Sequence, residues 1–266
     1  MVHNLMAIVL IFACWGIADA ETQAKVVFIG KEPDHAFGTH MYMHTGKVLS
    51  ECLTLTNGVQ TIVSQGWPED TSVLDDVSTL VVYMTPAAEF LLDGPHRNQV
   101  DALMKKGVGL VTIHWASSIN KENFERIGPK WLSYLGGTWI SNVGLHTGNS
   151  LLRHLKPTHP VCRGWSEYEL HDEYYLNPVI SDEATPLLQV AAKDKPVTVG
   201  WAFERPDGGR SFATTLGHFY RNFQEEAFRR MVVNAILWTA QLEIPKSGAM
   251  VGLSKEQLAL PPQPRK

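Results

Sequence analysis

Cysteine is scarce in this 266-residue chain: only Cys14, Cys52 and Cys162, with no C-x-x-C spacing. That excludes a thiolate zinc cluster and a small disulfide-stapled scaffold. Other recognisable chemistry is missing too. There is no H-E-x-x-H helix, no G-x-S-x-G elbow and no Walker glycine loop. Gly30-Lys31 lacks the further glycines that a pyrophosphate turn needs, so no dinucleotide fingerprint is present. Charge of one sign is not in excess either. Twenty-three Lys and Arg against 27 Asp and Glu leave a net of -4, which argues against a nucleic-acid surface. A mean hydropathy of -0.09 excludes a polytopic membrane protein. Repeats, linkers and low-complexity blocks are absent.

The one long apolar run, Leu5–Ile17, is followed by Ala18-Asp19-Ala20, an A-x-A-like cleavage pattern. It is shorter than the ~20 residues that span a bilayer. Residues 1–20 therefore read as a secretory signal peptide, although no Lys or Arg precedes the run. Cys14 leaves a lipid anchor as a lesser alternative, since Phe12 fits that signal poorly. The mature chain is expected outside the cytoplasm, with no membrane span. Export permits disulfides, but Cys52 and Cys162 are far apart in sequence and read as two separate buried thiols.

From Lys25 onward short β-rich runs alternate with helical stretches. Strands are expected at Lys25–Gly30, Val59–Ser64, Leu80–Met84 and Val108–Ile113, and later at Pro186–Val190, Val197–Phe203 and Ser211–Leu216. The apolar spacing predicts a helix over Gly38–Thr56 and another after Gly94-Pro95, closed by Lys105, Lys106 and Gly107. A final helix reads from an Asn222 cap with Glu225 as its reciprocal partner. Its core face carries Phe228, Val232, Ala235, Ile236 and Leu242. Residues 120–174 read as irregular apart from a helical piece near Trp131–Leu135, and residues after Ile244 as a surface tail. The alternation implies one α/β domain with a mainly parallel sheet.

Eleven histidines are many for this length. In an open parallel sheet, ligands bind beyond the carboxyl ends of the strands. His35 and His40 follow the first strand, His114 follows Val108–Ile113, and His218 follows the last core strand. Neutral imidazoles with a carboxylate suit Zn²⁺ or a similar divalent ion, and equally serve as acids and bases near neutral pH. His40, His114 and His218 are the candidate metal ligands. His114, Asp172 and Glu173 are the candidate catalytic groups, and His35, His146 and Tyr220 the candidate substrate contacts. His44, one turn after His40 if both are helical, is a further possible ligand. His96 reads as a surface residue and His159-Pro160 as a turn.

These blocks resemble the ThuA-like family, named from trehalose utilisation. The likeness is carried by His35-Ala36-Phe37-Gly38-Thr39-His40, by Gly109–Ala116 with His114 within it, and by His159-Pro160-Val161 leading to Gly164. His171-Asp172-Glu173-Tyr174-Tyr175 and Gly217-His218 with Asn234–Trp238 complete it. The resemblance implies a flavodoxin-like three-layer sandwich of the class I glutamine amidotransferase type. In that superfamily a nucleophilic Cys occupies a strand-to-helix elbow; here His114 stands there, so thiolate glutaminase chemistry is not expected. The family context implies sugar catabolism, often of 3-keto-sugars, with His40, His114, Glu173 and His218 in the pocket. The expected function is metal-assisted acid–base chemistry on a small carbohydrate, by a lyase, hydratase, isomerase or hydrolase. Metal-free histidine catalysis, or a non-catalytic sugar-binding protein on the same fold, are the alternatives.

Overall fold

The computed structural model describes residues 23–141 and 143–263; the signal-peptide reading of residues 1–20, with Cys14, lies outside them. The first half runs β1 (Ala24–Gly30), α1 (Tyr42–Leu53), β2 (Val59–Gln65), β3 (Thr79–Val82), α2 (Ala87–Leu92), α3 (Arg97–Lys105) and β4 (Gly109–Ile113). Then come β5 (Ser118–Ile119), α4 (Phe124–Leu135), β6 (Gly137–Ile140), β7 (Leu145–His154), β8 (Tyr168–Tyr175), β9 (Val179–Ile180) and β10 (Thr185–Ala192). The chain closes with β11 (Lys195–Glu204), β12 (Arg210–Thr214), α5 (Tyr220–Gln224) and α6 (Glu226–Thr239).

Nine strands form one sheet in the order β2-β1-β3-β4-β12-β11-β10-β7-β8. The pairs from β2 through β12 are parallel, and those from β12 through β8 are antiparallel. The mainly parallel sheet expected from the sequence is thus corrected to a mixed one. A separate three-stranded sheet, β5-β6-β9, is built from the chain between β4 and β10.

Alternate residues of the parallel strands enter two cores. Val26 and Phe28 of β1, Val81 of β3, Val111 and Ile113 of β4 and Phe212 of β12 pack with Leu49, Phe228, Val232 and Ile236 of α1 and α6. Val27, Ile29, Leu80, Val82, Leu110 and Ala213 pack on the opposite face with Leu91, Val100, Leu103 and Trp131 of α2, α3 and α4. Burial on both faces is why these strands read as unbroken apolar runs, and it makes the domain a three-layer sandwich.

The other departures have local causes. The first helix begins at Tyr42 instead of Gly38, because Gly38 (φ 87°) and His40 (φ 49°) are left-handed and keep residues 38–41 in a loop. Residues 120–174 are ordered: α4 forms around an internal Pro129, and β7 and β8 make a long hairpin. The capping box at Asn222 is not formed. Asn222 lies inside α5 and donates to the His171 carbonyl at 3.1 Å, while extended Glu225 separates α5 from α6. Gly107 (φ 81°) does end α3 as expected. The segment after Ile244 is no loose surface tail: Ile244, Ala249 and Val251 are buried. The Val251 carbonyl accepts from the Arg229 guanidinium, and Ala249 N donates to Asn234 Oδ1 at 2.9 Å.

Candidate metal centre and pocket

The three candidate ligand histidines come from loops at the carboxyl ends of parallel strands. His40 lies in the loop after β1. His114 follows β4 directly with φ 55° and opens a single 3-10 turn over His114–Ser117. A left-handed non-glycine residue at a strand end is a costly conformation, typical of functional elbows. His218 follows Gly217 (φ 109°) after β12. Backbone bonds lace the first and third loops together: His40 N donates to the His218 carbonyl at 3.1 Å, and Tyr220 N to the Gly38 carbonyl at 2.9 Å.

The ring nitrogens meet. His40 Nε2 lies 3.0 Å from His218 Nδ1, and His218 Nδ1 lies 3.3 Å from His114 Nε2. A tetrahedral zinc ion with 2.0–2.1 Å bonds holds nitrogens ~3.3 Å apart, so the spacing fits. Proton placement fits as well. His114 Nδ1 donates to the Thr215 carbonyl at 2.8 Å, and His40 Nδ1 to Asp34 Oδ1 at 2.9 Å. Both Nε2 lone pairs therefore point inward. The carboxylate behind His40 and the carbonyl behind His114 are the usual outer support of a metal-binding histidine. Burial holds the His40 and His218 imidazoles down to about 4, and that of His114 well below its ordinary value. Three imidazoles this close cannot all be charged, and neutral rings are the form that binds a metal.

Glu173 on β8 stands beside them, its Oε1 3.8 Å from both His114 Nε2 and His218 Nδ1. Burial raises its carboxyl, opposed by nearby His35. The cavity over the cluster, about 210 Å³, is walled by His35, Trp115, Asn120, Trp139, Leu145, Glu173 and Tyr175. Trp139 stacks on Tyr175 with centroids 4.0 Å apart, and Tyr175 on His114 at 4.8 Å. Larger concavities of about 360 and 450 Å³ open elsewhere on the surface. Among the described residues, neither gathers three ligating side chains as the histidine site does.

Several candidate residues sit where expected and others do not. His35 lines the mouth, 3.7 Å from the His40 ring, with Nδ1 2.8 Å from Asp34 Oδ1. Asp172, a candidate proton carrier, is fully buried on the opposite face of β8 from Glu173, as strand alternation requires. Its carboxylate accepts from Gly217 N at 2.6 Å, His218 N at 3.0 Å and Glu173 N at 2.9 Å. Burial pushes it up to about 7 against the pull of those donors. Asp172 holds the His218 loop and does not line the cavity. His146 pairs with Tyr174 in the hairpin register and so faces away from the pocket. Tyr220 is buried under the C-terminal segment, bonded to His44 Nε2 at 3.0 Å and the Leu258 carbonyl at 2.9 Å. His44 is therefore no ligand; the helical spacing that paired it with His40 fails because His40 precedes the helix. Asp34, Tyr42 and Trp115 were missed. Asp34 sits in the same loop as His35 and His40, and a carboxylate at that spacing was its available signal.

Cys52 and Cys162 are free, separate and buried as expected. Burial raises their thiols to about 11 and about 12, and neither stands at the His114 elbow. Among the described residues no helix is long and apolar enough to cross a membrane.

A mixed sheet between helical layers gives the molecule an α/β fold similar to those of ThuA-like and glutamine amidotransferase proteins. A ThuA-like protein from Bacteroides uniformis superposes with a TM-score of 0.62 at 16% identity, over 82% of this chain and 92% of that one. A glutamine amidotransferase from Thermotoga maritima gives 0.52 at 10% identity, over 82% and 99%. No curated protein matches in sequence. The ThuA family, described as trehalose utilisation, matches residues 25–239, and the chain belongs to it. That membership ties it to carbohydrate use.

Proposed function

We propose that the chain is an exported carbohydrate-metabolism enzyme. In this reading His40, His114 and His218 hold a divalent ion, zinc matching the donors best, and Glu173 moves a proton on a bound sugar or 3-keto-sugar. One observation carries it: three inward-facing imidazole nitrogens converge within 3.0–3.3 Å steps, with a half-buried carboxylate 3.8 Å from two of them. When bound, the ion supplies Lewis-acid polarisation of a carbonyl or hydroxyl oxygen. A carbonyl on the sugar acidifies the neighbouring C–H, which brings elimination, hydration or isomerisation within reach of a single carboxyl base. Burial holds Glu173 closer to neutral pH than a free carboxylate, as that role needs. Trp115 and Trp139 in the cavity wall offer apolar aromatic surface for a sugar ring. The cleavage pattern at Ala18-Asp19-Ala20 supports export.

Metal analysis of the purified mature protein tests this. About one equivalent is expected, with both metal and turnover lost in His114→Ala. Less than about a tenth of an equivalent, with turnover indifferent to chelators, overturns the metal role. Stabilisation by sugars without any product would instead support a binding protein.

A further inference from the structure

The hydroxyl of Tyr175 has a partner that metal binding would take away. It donates to His114 Nε2 at 3.1 Å and, among the described residues, to nothing else. The side chain is buried, clamped between Trp139 at 4.0 Å and His114 at 4.8 Å, and its ring cannot swing to another acceptor without breaking both stacks. The same His114 lone pair is one of the three that converge on the candidate metal position. One lone pair cannot serve both the phenol and an ion. Once an ion takes it, a buried O–H donor is left aimed into the cavity without an acceptor, an arrangement proteins avoid.

We propose that Tyr175 is a substrate-recognising hydrogen-bond donor, whose hydroxyl transfers from His114 to an oxygen of the ligand seated over the three histidines. This rests on the metal reading above. It assigns the phenol neither a ligand's place nor a proton-transfer step. The matching ligand carries an oxygen acceptor beside the atom that the ion polarises, such as the carbonyl or hydroxyl of a sugar. Glu173 flanks the same point from the neighbouring register position on β8, so donor and carboxylate would address one substrate edge.

Tyr175→Phe removes the hydroxyl and keeps both stacks. Zn²⁺ affinity is measured by competition with a chromophoric chelator, and binding of acetohydroxamate, a small oxygen-donor probe, to the zinc-loaded protein by calorimetry. Zn²⁺ should bind as tightly as to wild type or about two- to tenfold more tightly, because the apo protein no longer has a hydrogen bond to lose. Acetohydroxamate should bind about tenfold more weakly. A tenfold loss of Zn²⁺ affinity would make Tyr175 a ligand and overturn the inference, as would unchanged hydroxamate binding. Wild type that binds no Zn²⁺ fails the functional reading itself, whereas either Tyr175→Phe result counts against the inference alone.

Discussion

The two halves of the sheet contribute different things to the same pocket. The parallel half, β2-β1-β3-β4-β12, provides the nitrogen donors, each from a loop at a strand's carboxyl end, where parallel strands expose their tips on one rim. The antiparallel half provides Glu173 and Tyr175 from one face of β8, and Asp172 from its other face. The first half builds the floor of the site, and the second places a carboxylate and part of the wall beside it. A strand alternates its side chains, so β8 can present an acid to the pocket and, one residue earlier, insert a carboxylate behind it to pin the His218 loop.

That division can be broken experimentally. The largest effect is expected from Glu173→Gln, which removes the proposed proton carrier of the antiparallel half and leaves the floor. Turnover should fall about a hundred- to thousandfold, roughly 3–4 kcal/mol in the barrier, with metal content unchanged. A loss of metal in this variant would show that the halves are not separable. Asp172→Ala cuts the tie between them and leaves three backbone N–H groups with no acceptor. Urea denaturation should show a loss of about 3 kcal/mol; a loss under about 1 kcal/mol would mean that Asp172 ties nothing.

Asp34→Asn probes the floor alone. His40 would lose the carboxylate behind it, and metal affinity should drop about 10- to 100-fold with Glu173 untouched. An affinity equal to wild type would remove Asp34 from the support. The smallest effect concerns His159, on the connection between β7 and β8. Burial holds it at about 4, and its Nδ1 accepts from Val161 N at 3.2 Å, which demands the unprotonated ring. Unfolded, the group titrates near 6.5. Between those values the unfolded chain binds the extra proton, so this contribution is intact above about pH 6.5 and fades as the pH falls toward 4. The effect, on the order of 1 kcal/mol or less after solvent screening, should vanish from the stability–pH curve of His159→Asn; an identical curve would deny His159 any part.

Much of the parallel half was legible in the sequence. β1, β3 and β4 are buried on both faces and spell themselves as Val26-Val27-Phe28, Leu80-Val81-Val82 and Leu110-Val111. Strand-end position alone then gathered His40, His114 and His218. The antiparallel half was legible only in part: β10 and β11 fall where strands were expected, but the β7–β8 hairpin that carries Glu173 was read as irregular. Tyr168–Tyr175 reads YELHDEYY, polar and aromatic without clean alternation, and becomes a strand because β7 pairs with it. Pro129 and Gly128 disguised α4, whose amphipathic face overrides them. Asp172 and Glu173 are adjacent in sequence and chemically alike, and only the strand's alternation gives them opposite roles. Tyr220 and His146 failed for a related reason: nearness to a ligand in sequence does not decide which side of a loop or strand a ring occupies.

The stretch beyond α6 bears on where this protein can be cut. The family match ends at residue 239, which invites trimming there. Doing so would strip Val251 from the Cys52 thiol and the Arg229 guanidinium, and lift Leu258 from the Tyr220 hydroxyl. Anyone preparing a shortened version for crystallisation or for fusion to a reporter should keep the chain through Leu260, and attach tags only after it.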